Sequence, residues 1–342
     1  MKKGTAMQPL GEKPLRIAFA GAGAVSGFHL TGWKQTANCQ VVAICDPQVE
    51  KAQAKAKEFG IPAVYADFDT MLAQVNADAV DIVTPVATHA PLTCIAADRG
   101  VHVSCQKPLT PTVKEAERLI KYVGDRVRFM VHEHFRFRPH YLDVKRWLDE
   151  GRIGTILHAR MTTRSASLIS LNDEPPPLLK RQPYMQHFKR LAIFEIFIHQ
   201  LDAMRALLGP LSVTQAGVAK TNPNLAGEDL AHIVMQGANG MTAVLDGNVS
   251  APGYPAMPTD RLEIIGSKAT LVYDGDRMFI VGSNDEPLRY DTVANYQVCW
   301  TGAIQNFVHG LRTGDPFATD RLDNLETLKL MEASYVAAGV KF

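Results

Sequence analysis

Residues 15–36 read LRIAFAGAGAVSGFHLTGWKQT, an apolar hexamer that runs through a glycine-rich turn into a segment able to form a helix. Leu15–Ala20 has the length and apolar character of a buried strand, and Gly21-Ala22-Gly23-Ala24-Val25-Ser26-Gly27 follows at once. A Gly-x-Gly between strand and helix lets the backbone turn tightly and approach a pyrophosphate, whose charge the helix amino end favours. The pattern is weak by itself. It gains weight from a second apolar run, residues 41–45, closed by Asp46, 25 positions after Gly21. An acid there hydrogen-bonds the ribose hydroxyls of a dinucleotide. The same carboxylate opposes the extra phosphate of NADP at a cost on the order of several kcal/mol, and Pro47 and Gln48 bring no compensating cation. The stretch predicts an NAD site at Gly21, Gly23, Ala24, Val25, Ser26 and Asp46. Ser26 stands where the fingerprint prefers a third Gly or Ala, and is still small enough for close helix packing.

Outward from this stretch, strand-like and helix-like runs alternate: a helix at 50–59, a strand at 63–65, a helix near 68–75, a strand at 79–83, a helix at 91–99, a strand at 101–105, a helix at 110–123 and a strand at 127–131. Six strands with alternating helices predict a doubly wound parallel sheet over residues 14–138. The fifth strand ends as VHVSCQKP, residues 101–108. Ligands of such sheets bind outside the carboxyl ends of the strands, so Lys107 is placed for chemistry, and Lys107-Pro108 is a candidate cis bond. Beyond about Pro139 the pattern changes to a helix at 141–150, a strand at 155–163, a proline-rich loop through Pro175, Pro176 and Pro177, a long helix at 192–208, and short strands in series joined by turns such as Ala238-Asn239-Gly240. This predicts an α+β domain over residues 139–342 with a mostly antiparallel sheet.

Within 192–208 the polar residues are few, and spacings of four and three put Glu195, His199 and Asp202 on one helix face. A polar stripe on a buried helix is costly unless its members are paired or used. It reads either as a hydrogen-bonded structural network or as acid–base machinery. Given a bound nicotinamide, the second reading is favoured: oxidation of an alcohol or lactol needs a base, and neutral imidazole, with a pKa near about 6.5, suits the task. A neighbouring carboxylate fixes its tautomer. His132-Glu133-His134 lacks a suitably spaced third metal ligand, so no metal site is expected.

The 342 residues suffice for two domains, and 36 Lys and Arg against 35 Asp and Glu leave no charge excess to attract nucleic acid or an anionic membrane. Five cysteines without a Cys-x-x-Cys pair read as reduced thiols. After Lys2 and Lys3 no apolar stretch suggests a signal peptide, and a cytoplasmic enzyme or sensor is the expected class.

The glycine turn, Thr84-Pro85 followed by His89, Gln106-Lys107-Pro108, Arg136-Phe137 with Pro139, and His199-x-x-Asp202 occur in one order along the chain. Together they resemble the Gfo/Idh/MocA oxidoreductases over essentially the whole length. The resemblance implies a Rossmann domain and a C-terminal domain with a large open antiparallel sheet, often an oligomer interface, hence a homodimer or homotetramer. It implies that Thr84, Pro85, His89 and Gln106 lie beside the NAD, that Lys107 contacts substrate and nicotinamide ribose, and that Glu195, His199 and Asp202 serve catalysis. Gln106 replaces the family's usual Glu, Glu195 its more usual Asp, and the glycine-rich run before the helix is absent. In its place stand Arg181-Gln182-Pro183-Tyr184, so that Tyr184, with Arg164, is expected to line a sugar pocket. Residues around His132-Glu133, Cys105-Gln106-Lys107-Pro108 and Arg181-Gln182-Pro183 are similar to a subgroup that oxidises pentoses, including apiose. The expected function is an NAD-dependent sugar or polyol dehydrogenase; the alternatives are an NAD-assisted glycoside hydrolase or lyase and a non-catalytic sugar sensor.

Overall fold

The computed structural model describes residues 9–170 and 174–341; Lys2 and Lys3 lie outside them. Two compact units are present: Met1–Phe137 with Tyr296–Leu328, and Arg138–Asn295 with Lys329–Phe342. The first division falls one residue from the expected boundary. The second was not foreseen, because residues 296–328 return to the first unit instead of completing the second.

In the first unit β1 (Leu15–Ala20), β2 (Cys39–Cys45), β3 (Ala63–Tyr65), β4 (Ala79–Ile82), β5 (His102–Gln106) and β6 (Phe129–His132) alternate with α1 (Ser26–Gln35), α2 (Val49–Phe59), α3 (Phe68–Gln74), α4 (Val86–Asp98) and α5 (Val113–Val123). The sheet is parallel, in the order β3-β2-β1-β4-β5-β6. Its order reverses between β1 and β4, the point at which a doubly wound sheet opens a crevice. β4 and β5 are buried along their whole length, as expected for strands covered on both faces. Helix starts follow local chemistry: Asp67 accepts from the Thr70 N–H at 2.7 Å ahead of α3, and Thr112 from the Glu115 N–H at 3.3 Å ahead of α5. α4 begins at Val86, a turn before the expected start at Pro91.

The second unit opens with α6 (Pro139–Asp149) and β7 (Ile156–Arg164). A short α7 (Pro177–Arg181), a 3-10 turn (Pro183–His187) and a π-helix (Ala192–Phe197) lead to α8 (Ile198–Leu208). Then come β8 (Leu211–Ala219), β9 (Leu230–Gly237), β10 (Thr242–Asn248), β11 (Thr259–Gly266), β12 (Thr270–Tyr273), β13 (Arg277–Ile280) and β14 (Leu288–Arg289). The eight strands run β14-β13-β12-β11-β7-β10-β9-β8, all neighbours antiparallel except β7 and β10. Burial alternates along β9, β10 and β11, so one sheet face is apolar and packed. There the Phe197 ring lies where a side chain on Gly247 would stand. The predicted single helix over 192–208 is corrected in its first half, where the π-helix precedes α8.

α9 (Ala294–Thr313) and α10 (Arg321–Ala337) close the chain. Ile304, Phe307, Val308 and Leu311 of α9 complete the first unit's core with Leu15, Ile17, Phe19, Leu30 and Trp33. Among the described residues no helix is long and apolar enough to cross a membrane.

Candidate functional site

The first group of residues gathers at the carboxyl ends of β1, β2, β4 and β5. Gly21 has φ +101°, and a Cβ there would stand 2.2 Å from the Val83 carbonyl oxygen, so only glycine fits. Gly23 and Ala24 are exposed at the amino end of α1, while Ser26 is buried. The Ser26 hydroxyl donates to the Gly23 carbonyl at 2.7 Å, which gives the unexpected serine a task inside the turn. Asp46 Oδ2 accepts from the Ala22 N–H and Oδ1 from the Gln48 N–H, both at 2.8 Å. The carboxylate is half-buried and keeps lone pairs for further donors. A tight glycine bend, an exposed helix amino end and an aimed carboxylate fit a dinucleotide.

On β4's continuation Thr84 is half-buried and Pro85 exposed, with the Thr88 hydroxyl donating to Thr84 Oγ1 and the Pro85 carbonyl at 2.7 Å each. His89 is buried. Its Nε2 lies 2.8 Å from the Thr84 carbonyl oxygen and its Nδ1 2.9 Å from that of Pro108. It therefore ties the Thr84 loop to the segment after Lys107. Lys107 is half-buried at the end of β5, the Lys107-Pro108 bond is cis as expected, and the Lys107 N–H donates to Gln106 Oε1 at 2.6 Å.

Beneath these residues lies a buried network that the sequence reading missed. Asp81, in the middle of β4, accepts from Trp33 Nε1 at 2.7 Å and from the Ser104 hydroxyl at 3.1 Å, and its Oδ2 lies 2.8 Å from His29 Nδ1. Burial alone would raise the Asp81 pKa. The hydrogen bonds that His29 Nδ1 and the Trp33 indole N–H give it work against that burial and favour the carboxylate. The available signal was an acid inside the otherwise apolar run AVDIV.

The second group belongs to the second unit. His199 and Asp202 are buried on α8, three residues apart, and Glu195 is half-buried on the π-helix. π-Helical turns are rare and occur mostly at functional sites. Two anchors fix this segment. At its start Glu228 accepts from the Leu191 N–H at 3.1 and 3.2 Å, from the Ile193 N–H at 3.0 Å and from the Tyr335 hydroxyl at 2.5 Å, while Tyr335 Oη accepts from the Phe194 N–H at 3.1 Å. Further on, Gln200 Nε2 donates to Asp260 Oδ1 at 3.0 Å, and the other Asp260 oxygen takes the Tyr141 hydroxyl at 2.8 Å. Tyr184 is half exposed; partial burial, and then the charge of Glu195, push its phenol up to about 12. Arg164, at the end of β7, is engaged with Asp246, at 2.8 Å from Oδ2 and 2.5 Å from the carbonyl oxygen. Glu228 and Tyr335 carried no local signal, being 107 residues apart.

Residues 15–133 match the family described as "Oxidoreductase family, NAD-binding Rossmann fold", and residues 141–272 the "GFO/IDH/MocA C-terminal domain". The chain is 32% identical over 342 residues to a protein of Paraburkholderia graminis named D-apiose dehydrogenase, covering 95% of this chain and 88% of that protein. It is 28% identical to an inositol 2-dehydrogenase of Rhizobium meliloti, covering 96% and 98%. A crystal structure of an oxidoreductase from Agrobacterium radiobacter in complex with NAD+, L-tartaric acid and magnesium is similar with a TM-score of 0.88 and 28% identity, over 96% of this chain and 97% of that one. The first unit is thus an NAD-binding Rossmann domain, and the cofactor expected from the glycine turn is the one the comparisons give.

Proposed function

The chain belongs to the Gfo/Idh/MocA family of NAD-dependent sugar and polyol dehydrogenases, and we propose that its substrate is an aldopentose such as D-apiose, oxidised at the anomeric carbon to the lactone. The observation that carries this reading is the likeness to the D-apiose dehydrogenase of P. graminis over 95% of the chain, on a sequence that keeps both Lys107 and His199.

In this reading Gly21, Gly23, Ala24, Val25 and Ser26 hold the pyrophosphate, and Asp46 takes the ribose hydroxyls. Thr84 and Pro85 flank the nicotinamide half, with His89 and Gln106 holding their loops. The bound dinucleotide supplies the hydride acceptor. His199 accepts the proton of the reacting hydroxyl, and Glu195 and Asp202 orient its ring. Lys107 donates a hydrogen bond to the reacting oxygen and steadies the charge that develops there. Tyr184 binds a neighbouring hydroxyl, whereas the Arg164 guanidinium is engaged with Asp246 and the Thr163 carbonyl. The exposed face of the eight-stranded sheet joins copies of the chain.

The test is a panel of free sugars and polyols with NAD, followed by nicotinamide absorbance. Reduction with apiose and not with inositols is the expected result. Reduction with inositols alone would refute the pentose reading; NAD that co-purifies and undergoes no net reduction while a glycoside is cleaved would replace it with transient oxidation.

A further inference from the structure

The buried polar atoms beneath Lys107 have their donors and acceptors fixed in sequence. The Lys107 N–H can only donate, so the Gln106 atom facing it at 2.6 Å is the amide oxygen. The amide nitrogen is then the atom 3.1 Å from His29 Nε2. An amide nitrogen can only donate, so Nε2 must be the bare, accepting nitrogen and the ring proton must sit on Nδ1. That nitrogen faces Asp81 Oδ2 at 2.8 Å, an acceptor. Trp33 and Ser104 fill out the same carboxylate. Gln106 and Ser104 share one face of β5, being two residues apart; His29 and Trp33 share one face of α1, being four apart. The chain of bonds thus joins the helix that leaves the glycine turn to the strand end that carries Lys107.

We propose that Gln106, His29 and Asp81 form a positioning device for Lys107, in which a neutral His29 with its proton on Nδ1 links the amide of Gln106 to the carboxylate of Asp81 and so fixes the backbone from which the lysine projects. Glutamate at 106 would not serve in the same way. It would accept from the Lys107 N–H and present a second acceptor to Nε2, so His29 would have to take a second proton to keep both bonds. Around that ring stand Phe19 of β1 at 6.2 Å between centroids, His132 of β6 at 4.1 Å and Trp300 of α9 at 5.1 Å. Besides Asp81, His132 is a titratable neighbour, and a second proton on His29 would face it. Gln106 keeps the network complete with His29 neutral. The kinetic consequence rests on the dehydrogenase reading; the protonation pattern does not.

The experiment is 15N NMR of protein labelled in its histidine rings at pH 7, with the His29 signals assigned by their loss in His29→Gln. One ring proton, on Nδ1, with a bare Nε2, is expected; a proton on Nε2 in the native protein would overturn the proposal. In Gln106→Glu the His29 ring should gain its second proton at the same pH, and an unchanged ring would count equally against it. In steady-state kinetics Gln106→Ala should lose about tenfold in kcat, as a displaced reacting group does, with NAD dissociation changed less than twofold. Unchanged kcat, or a parallel loss of NAD binding, would refute a positioning role. If the native protein oxidises no sugar, the proposed function fails while the ring protonation still decides this one.

Discussion

Lys107 occupies a single position from which the chemistry of this protein is most directly testable. Lys107→Met keeps the aliphatic stem and removes the ammonium; it should fold, bind NAD normally and lose turnover by roughly a hundredfold, the usual effect of deleting one acid–base or electrostatic group. Retained turnover would remove the lysine from the mechanism. A second residue governs stability instead. His102 is buried on β5 and its Nδ1 accepts the Arg128 N–H at 3.2 Å. Burial, then the Arg128 charge, lower its pKa to about 4. The folded value lies below the unfolded value of about 6.5, so the native state resists the proton. Its contribution is therefore complete above pH 6.5 and is lost as pH falls towards 4, by about 3 kcal/mol in the limit. Urea midpoints at pH 7.5 and 4.5 should fall further apart for the native protein than for His102→Asn. Equal differences would show that folding does not depress the His102 pKa.

Two elements, the glycine turn and the π-helix, set the geometry of their respective groups. Gly21→Ala would drive a Cβ into the backbone carbonyl of Val83, which cannot move aside as a flexible side chain would. The variant should lose NAD binding measured by calorimetry and melt earlier, whereas normal affinity would mean that the turn has slack. In the second unit the entry to the π-helix depends on an acceptor-only carboxylate meeting backbone N–H donors at Leu191 and Ile193. Glu228→Ala strands these donors in a buried place and should cost about 2 to 3 kcal/mol. Hydrogen exchange at Leu191 and Ile193 should quicken before that of β9 and β10. Uniform loss of protection would assign Glu228 to global stability alone.

For the whole molecule the outcomes concern cofactor choice and assembly. The Asp46 carboxylate beside the glycine turn should make NAD bind at least tenfold more tightly than NADP, and equal dissociation constants would refute that selectivity. The exposed face of the second sheet carries the polar set Arg160, Arg164, His232 and Asp246. Light scattering should find a mass that is a multiple of 37.5 kDa, and Arg160→Glu should shift it towards the single chain. A native monomer would exclude the sheet as an interface.

The sequence by itself determined the six-stranded parallel domain, the glycine turn, Asp46 at the end of β2, Lys107 at the end of β5 and the change to a mostly antiparallel sheet. Each is written in local periodicity, in glycine placement or in the residue that closes a strand, features that need only near neighbours in the chain to be read. Tertiary structure decided the rest. Residues 296–328 return to the first unit because the apolar face of α9 completes the core that β1 and α1 leave open. His29, Asp81 and Gln106 meet only after α1, β4 and β5 are packed, although the acid inside AVDIV was a visible hint. The spacing of Glu195, His199 and Asp202 predicted one helical stripe, but the start of that stripe is a π-turn tied to Glu228 and Tyr335. Which distant groups satisfy a buried donor is settled by packing across tens to hundreds of residues, and no local spacing encodes that choice.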